Sequence, residues 1–394
     1  MDNIWLIAAI WMGMAFVASL ISIRIGISVA LIEILVGVVA GNFLGIHQTT
    51  QWIDFLAMLG SGVLTFLAGA EIDPASLKAH LTPSLIIGTI AFIVPFVSIW
   101  MIAQYVFGWN LHQAQIAGIA LSTTSVAVVY AVMIETGLSD TPMGKMILAA
   151  CFINDFGTVL ALGVLFANFN IWMLVFVIVM SIILWFMPKW TKYLIGHLGS
   201  EKVSQPNVKF ILLILFLLGG LATTAKSEAV LPAYLVGLVV AGVFVRDKTL
   251  VNRMRTIAFT IFTPFYFMKA GLYVSLKEMW FAIGVIVLLL LLKMITKIIG
   301  VYPFSRIFQM RKKEASYTTL LMATGLTFGT ISALFGLNNH IIDQKQYTIL
   351  VTVVILSAII PTLIAQRFFQ PRIEDMIAWG KLRIKTELHK KHKN

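Results

Sequence analysis

Within the stretch Ala149–Thr158 a single acid, Asp155, follows Asn154 in the middle of a long run of apolar residues. A carboxylate so placed can be neutralised by a proton or a small cation, and at membrane depth it is costly enough to count as functional by default. The competing reading is that it pairs with a lysine and fixes helix packing. A second apolar run holds four consecutive hydroxyls, Ser122, Thr123, Thr124 and Ser125. Hydroxyl and carbonyl oxygens are what a hard cation binds, and Ser and Thr can replace backbone partners where a helix unwinds. Back-bonding of these hydroxyls within an intact helix is the alternative. A third run, Ala323–Thr330, carries Gly325 and Gly329 among Thr324, Thr327 and Thr330. Its glycines suit either close helix packing or a matching interruption.

Lysines complete the constellation. Lys293 and Lys297 are four residues apart and share a helix face. One of them could neutralise Asp155 or the C-terminal end of a half-helix. Lys269 lies nearer a segment end and is expected to snorkel toward water. Glu71 and Asp73 fall at the end of a segment, where a helix-end role competes with ion entry; Glu33 and Glu135 rank behind Asp155. Every one of the seven histidines falls in a loop, at a helix end or in the tail, so no metal cluster or nucleophile–base pair lies within the spans. An enzyme is the least supported class. The one cysteine, Cys151, excludes an internal disulfide and reads as buried filler. No glycine-rich phosphate loop or dinucleotide fingerprint is present, and no cofactor is expected.

The elements that must position these residues are membrane helices. Apolar residues make up 59% of the 394 and charged ones 12%, against roughly 25% charged in soluble domains. The apolar residues recur in runs of about 20, the length that crosses a hydrocarbon core roughly 30 Å thick. Turn and charge punctuation places thirteen spans near 4–23, 27–46, 54–72, 83–107, 113–136, 142–167, 170–187, 207–224, 229–245, 256–274, 278–304, 315–337 and 345–368. The start lacks a basic n-region and reads as a retained span, not a signal peptide. With the N-terminus outside, 23 of the 29 Lys and Arg fall on the inner side or in the tail and 3 on the outer side, as the positive-inside rule requires. The net charge of +12 is therefore topological and does not signal nucleic acid. The tail, 371–394, mixes bases with apolar residues and reads as a helix on the anionic inner leaflet or as a solvated tail. The fifth and twelfth spans hold equivalent places in two five-helix units that start on opposite sides. Paired interruptions in inverted repeats point to a transporter's substrate site where the two cross.

These residues resemble the cation:proton antiporter superfamily, in its Kef-type or sodium/proton antiporter branch. The resemblance runs through Phe66–Pro74, Ser122–Val129, Asn154-Asp155 and Thr296–Gly300. It implies an all-α polytopic fold with crossed interrupted helices and a homodimer in the inner (plasma) membrane of a prokaryote. It also implies a division into scaffold (1–47 and 200–246), ion-carrying core (48–168 and 248–370), linker helix (169–199) and basic cytoplasmic tail. The core would move against the scaffold in an elevator-like step. Asp155 would exchange Na+ or K+ for a proton, Thr124 would be a ligand or backbone support, and Lys297 would partner polar groups at the crossing. Asn154 departs from the Asp-Asp of many electrogenic members and resembles the electroneutral ones. The nucleotide-binding domain that Kef-type members often carry is absent from this chain. A cation channel or uniporter, or an ion-coupled symporter of related fold, is the alternative function.

Overall fold

The computed structural model describes residues 3–26, 28–46, 49–70, 72, 78, 80–139, 141–166, 171–198, 205–225, 229–244 and 248–380. Among them the secondary structure is helical throughout. The order is α1 (Ile4–Ile25), α2 (Val29–Phe43), α3 (Gln51–Ala70), α4 (Leu81–Tyr105), α5 (Leu111–Ser122), α6 (Val126–Glu135), α7 (Pro142–Leu165), α8 (Ile171–Leu198) and α9 (Pro206–Thr224). There follow α10 (Val230–Phe244), α11 (Lys248–Ile257), a π-helical turn (Ala258–Phe262), α12 (Thr263–Leu272), α13 (Leu276–Phe281), α14 (Ile283–Ile307), α15 (Lys312–Met322), α16 (Thr327–Asn338) and α17 (Gln344–Phe369). Nine helical stretches among the described residues are long and apolar enough to cross a membrane, and α2 and α10 are shorter apolar helices.

The expected segments 113–136 and 315–337 are each broken in two, and 256–274 is divided by the π turn. At the turn, Pro264 brings no N–H to the ladder, a standard cause of local helix rewinding. The stretch 278–304 is realised as a short helix followed by a long one.

Packing divides the chain into two compact units, Met1–Pro74 with Val159–Leu276, and Ala75–Thr158 with Lys277–Asn394. Residues 48–74 and 248–276, grouped with the ion-carrying part on sequence grounds, pack in the first unit. Within that unit α2 and α12 approach closely at glycines. A Cβ on Gly37 of α2 would overlap the Met268 carbonyl, and one on Gly271 of α12 would overlap the Ile34 carbonyl. Only bare backbone on both partners lets α2 and α12 lie so close. Helix α3 packs on α10 around Phe66 and Phe244, whose rings meet edge to face at 5.5 Å. Asn42 closes the far end of the pair: its Nδ2 donates to Val38 O and Val274 O, both at 2.8 Å, and its Oδ1 accepts from Leu276 N. Lys269 is buried and bonded to Asp54 at 2.7 Å, not snorkelling.

The second unit holds α4–α6, most of α7 and α14–α17. Its core gathers Ile87, Ile147, Ala150, Val301, Tyr317 and Leu321. Helix α14 lies along α4 and contacts α15 and α17, while α16 and α17 pack on α5. Residues 373–380 are helical and dock on this unit. Trp379 Nε1 donates to Phe308 O at 2.8 Å, Asp375 pairs with Arg311 at 2.6 Å, and Met376 and Trp379 are buried. Two apolar side chains attributed to a lipid-facing tail thus face protein. Residues 381–394, Glu71 and Asp73 lie outside the described residues.

Candidate functional site

Helix α5 stops at Ser122 because its own hydroxyls compete for the carbonyls. Ser122 Oγ donates to Ile119 O at 2.9 Å and Thr123 Oγ1 to Ala120 O at 3.0 Å, the back-bonding expected of these residues. Here it accompanies a true interruption: Thr123 turns to extended backbone, φ −62° and ψ 152°. Helix α6 restarts after Ser125, whose Oγ accepts the Val128 N–H at 3.4 Å. The second break follows the same logic. Ala323 and Thr324 close the end of α15 with bonds three residues back, to Leu320 O and Leu321 O, and α16 begins only at Thr327.

A break exposes backbone donors and acceptors that must be met in a dry interior. The two interruptions meet part of each other's need. Ser125 N donates to Thr324 O at 2.9 Å, and Thr124 Oγ1 donates to Met322 O at 2.7 Å. Asn154 of α7 meets the rest: its Oδ1 accepts the Thr124 N–H at 2.9 Å and its Nδ2 donates to Ser122 O at 3.3 Å. Lys297 of α14 donates to the same Ser122 O at 2.8 Å and to Thr124 Oγ1 at 3.1 Å. Its ammonium therefore sits at the C-terminal end of α5, where the helix dipole is negative.

Asp155 is next to this clamp, 1% exposed, and among the described residues its Oδ1 has no hydrogen-bond partner. A buried carboxylate oxygen left unmet is expensive, and a proton or a bare cation would satisfy it.

The structure thus brings together Asn154, Asp155, Thr123, Thr124, Ser125 and Lys297. It separates the two lysines. Lys293 points to α17, donating to Ser357 Oγ at 3.0 Å. Sequence reasoning missed Ser357, one of several hydroxyls in an apolar helix and marked out by nothing but its polarity. It also missed the carbonyls of Ser122, Met322 and Thr324, which side-chain identity does not reveal.

The chain is similar to known proteins along most of its length. The chain is 27% identical over 365 residues to a Na(+)/H(+) antiporter of Enterococcus hirae, covering 89% of this chain and 94% of the relative. It is 24% identical over 345 residues to a probable Na(+)/H(+) antiporter of Methanocaldococcus jannaschii, covering 84% and 88%. The fold matches that of the sodium proton antiporter MjNhaP1 from the same archaeon with a TM-score of 0.65, over 93% of this chain and all of that one, at 16% identity. Residues 12–370 match the family described as sodium/hydrogen exchanger, transmembrane. A polytopic helical chain with two crossed interruptions beside one buried acid is, by that match, a member of the sodium/hydrogen exchanger family of secondary transporters.

Proposed function

We propose that the chain exchanges a monovalent cation, Na+ or K+, for protons, with Asp155 carrying either one. The observation that carries this reading is the buried, unpartnered Asp155 oxygen beside two broken helices. Exchange needs a carboxylate that must be neutralised and that a proton and a cation compete for. Thr123, Thr124 and Ser125, with the backbone around them, supply neutral oxygens for the cation. Asn154 holds the break open without adding charge. Lys297 compensates the end of α5, Lys293 adds a second charge, and Glu71 is an entry residue.

Around this site we place the rest of the cycle. The chain crosses the membrane thirteen times with its N-terminus outside and its C-terminus in the cytoplasm. It works as a homodimer in a prokaryotic inner membrane, contacts lipid, and moves the ion by an elevator-like step of a core against a scaffold. The names of the relatives support sodium and protons as the exchanged pair.

The test is cation-induced proton movement in proteoliposomes, with Na+, K+ and Li+ compared across pH. Addition of a transported cation outside should drive protons out of acid-loaded vesicles. Cation uptake with no proton movement would overturn exchange and favour a uniporter.

A further inference from the structure

Lys293 has a seat of its own, distinct from the clamp around Asn154. The side chain is fully buried, and among the described residues its Nζ makes one hydrogen bond, to Ser357 Oγ at 3.0 Å. Ser357 spends its proton on Val354 O at 2.8 Å, so its lone pairs face the nitrogen. Thr123 likewise spends its proton on Ala120 O. Between these hydroxyls lies Gly325, the glycine of the second interruption. A Cβ built there would overlap Lys293 Nζ and come within 3.1 Å of both Ser357 Oγ and Thr123 Oγ1. The missing side chain is what makes room for the nitrogen.

Neutral oxygens with committed protons, gathered in a small space away from water, have the chemistry of a monovalent-cation seat. We infer that the Gly325–Ser357–Thr123 seat is a second cation site, filled by the chain's own lysine, which leaves Asp155 as the one place for a transported ion. The last clause rests on the exchange reading; the seat itself does not. Lys297, one turn along α14, is bound elsewhere, at Ser122 O and Thr124. The two lysines thus have separate acceptors, Ser357 on α17 for Lys293 and the first break for Lys297.

The experiment is to empty the seat and refill it with a small amine. Lys293→Ala removes the nitrogen and leaves a hole of the right polarity. Its Tm in detergent should fall by about 5 °C, and millimolar methylammonium should restore more than half of the loss. Tetramethylammonium, which cannot donate a hydrogen bond, should restore none. Lys293→Met, which fills the space with an apolar chain, should not respond to methylammonium, nor should the wild type. Adding Ser357→Ala to Lys293→Ala should abolish the rescue, whereas adding Asp155→Asn should leave it intact. Equal effects of the two amines, or rescue of Lys293→Met, would overturn the inference. Rescue lost with Asp155→Asn would place the amine at Asp155 and overturn the seat while leaving the exchange reading standing. Should Lys293→Ala not fold, a double-mutant cycle between Ser357→Ala and Lys293→Met decides the matter. Ser357→Ala should lower Tm in the wild type but not in Lys293→Met, and additive losses would overturn the seat.

Discussion

The side-chain carbonyl of Asn154 accepts the backbone N–H of Thr124 at 2.9 Å, so a residue on α7 completes a helix end that α5 and α6 leave open. Replacing Asn154 by Ala strands that N–H and withdraws one donor from Ser122 O. A buried group left unmet costs about 1–3 kcal/mol. Asn154→Ala should therefore unfold at a lower temperature and transport more slowly, while Asp155 is still present. Thermal melts and proteoliposome rates measured on one preparation check both; a mutant with wild-type melting would show that the break is held without Asn154.

Asp155→Asn should abolish exchange and leave a folded protein. The substitution keeps the shape and removes the charge for which, on the proposed reading, a proton and a cation compete. Size-exclusion elution and the melting temperature report folding, and cation-driven proton flux reports transport. Exchange at near wild-type rates would remove Asp155 from its role.

Lys297→Gln should lower stability and retain a fraction of transport. Hydrogen bonds from a charged donor are worth about 1.5–3 kcal/mol each, and Lys297 makes two, to Ser122 O and Thr124 Oγ1. A neutral amide can keep one of them. The check is a melting curve together with initial rates; a variant matching wild type in both would mean the end of α5 needs no compensating charge.

Exchange should be electroneutral. On the proposed reading, with Asn154 beside it, Asp155 alone changes between a proton-bound and a cation-bound form, and both loaded forms carry equal charge. A membrane potential contributes about 2.3 kcal/mol per elementary charge per 100 mV. The cation gradient at which proton flux reverses should thus be the same with the potential clamped at zero and near −100 mV. A shift equal to one charge per cycle would require a second proton carrier on α14.

The candidate residues stand out in the sequence because ionisable groups are scarce in its apolar stretches. Asp155 and Asn154 had few polar neighbours to hide among, and the run Ser122–Ser125 marked a weak point in its helix. The tasks of the two lysines were not legible. A spacing of four puts Lys293 and Lys297 on one face of α14, and what separates them is tertiary: Ser122 O for one, Ser357 Oγ for the other. The same limit applies to Lys269, whose partner Asp54 lies more than two hundred positions away in the chain. The break at Thr123 was likewise undecided between back-bonded helix and interruption, because the deciding acceptors are Asn154 Oδ1 and Thr324 O. Periodicity reports which face is apolar; it is silent on which buried polar atom meets which.

The docked segment 373–380 bears on how this protein should be handled at the bench. Cutting the chain after α17, at the end of the last long apolar helix, looks harmless from hydropathy alone. It would bare the Phe308 carbonyl and the packing surface under Met376 and Trp379, and leave Arg311 without Asp375. An affinity tag or fluorescent reporter should accordingly be joined beyond Gly380, whose position against Pro142 leaves no room for a bulkier residue there.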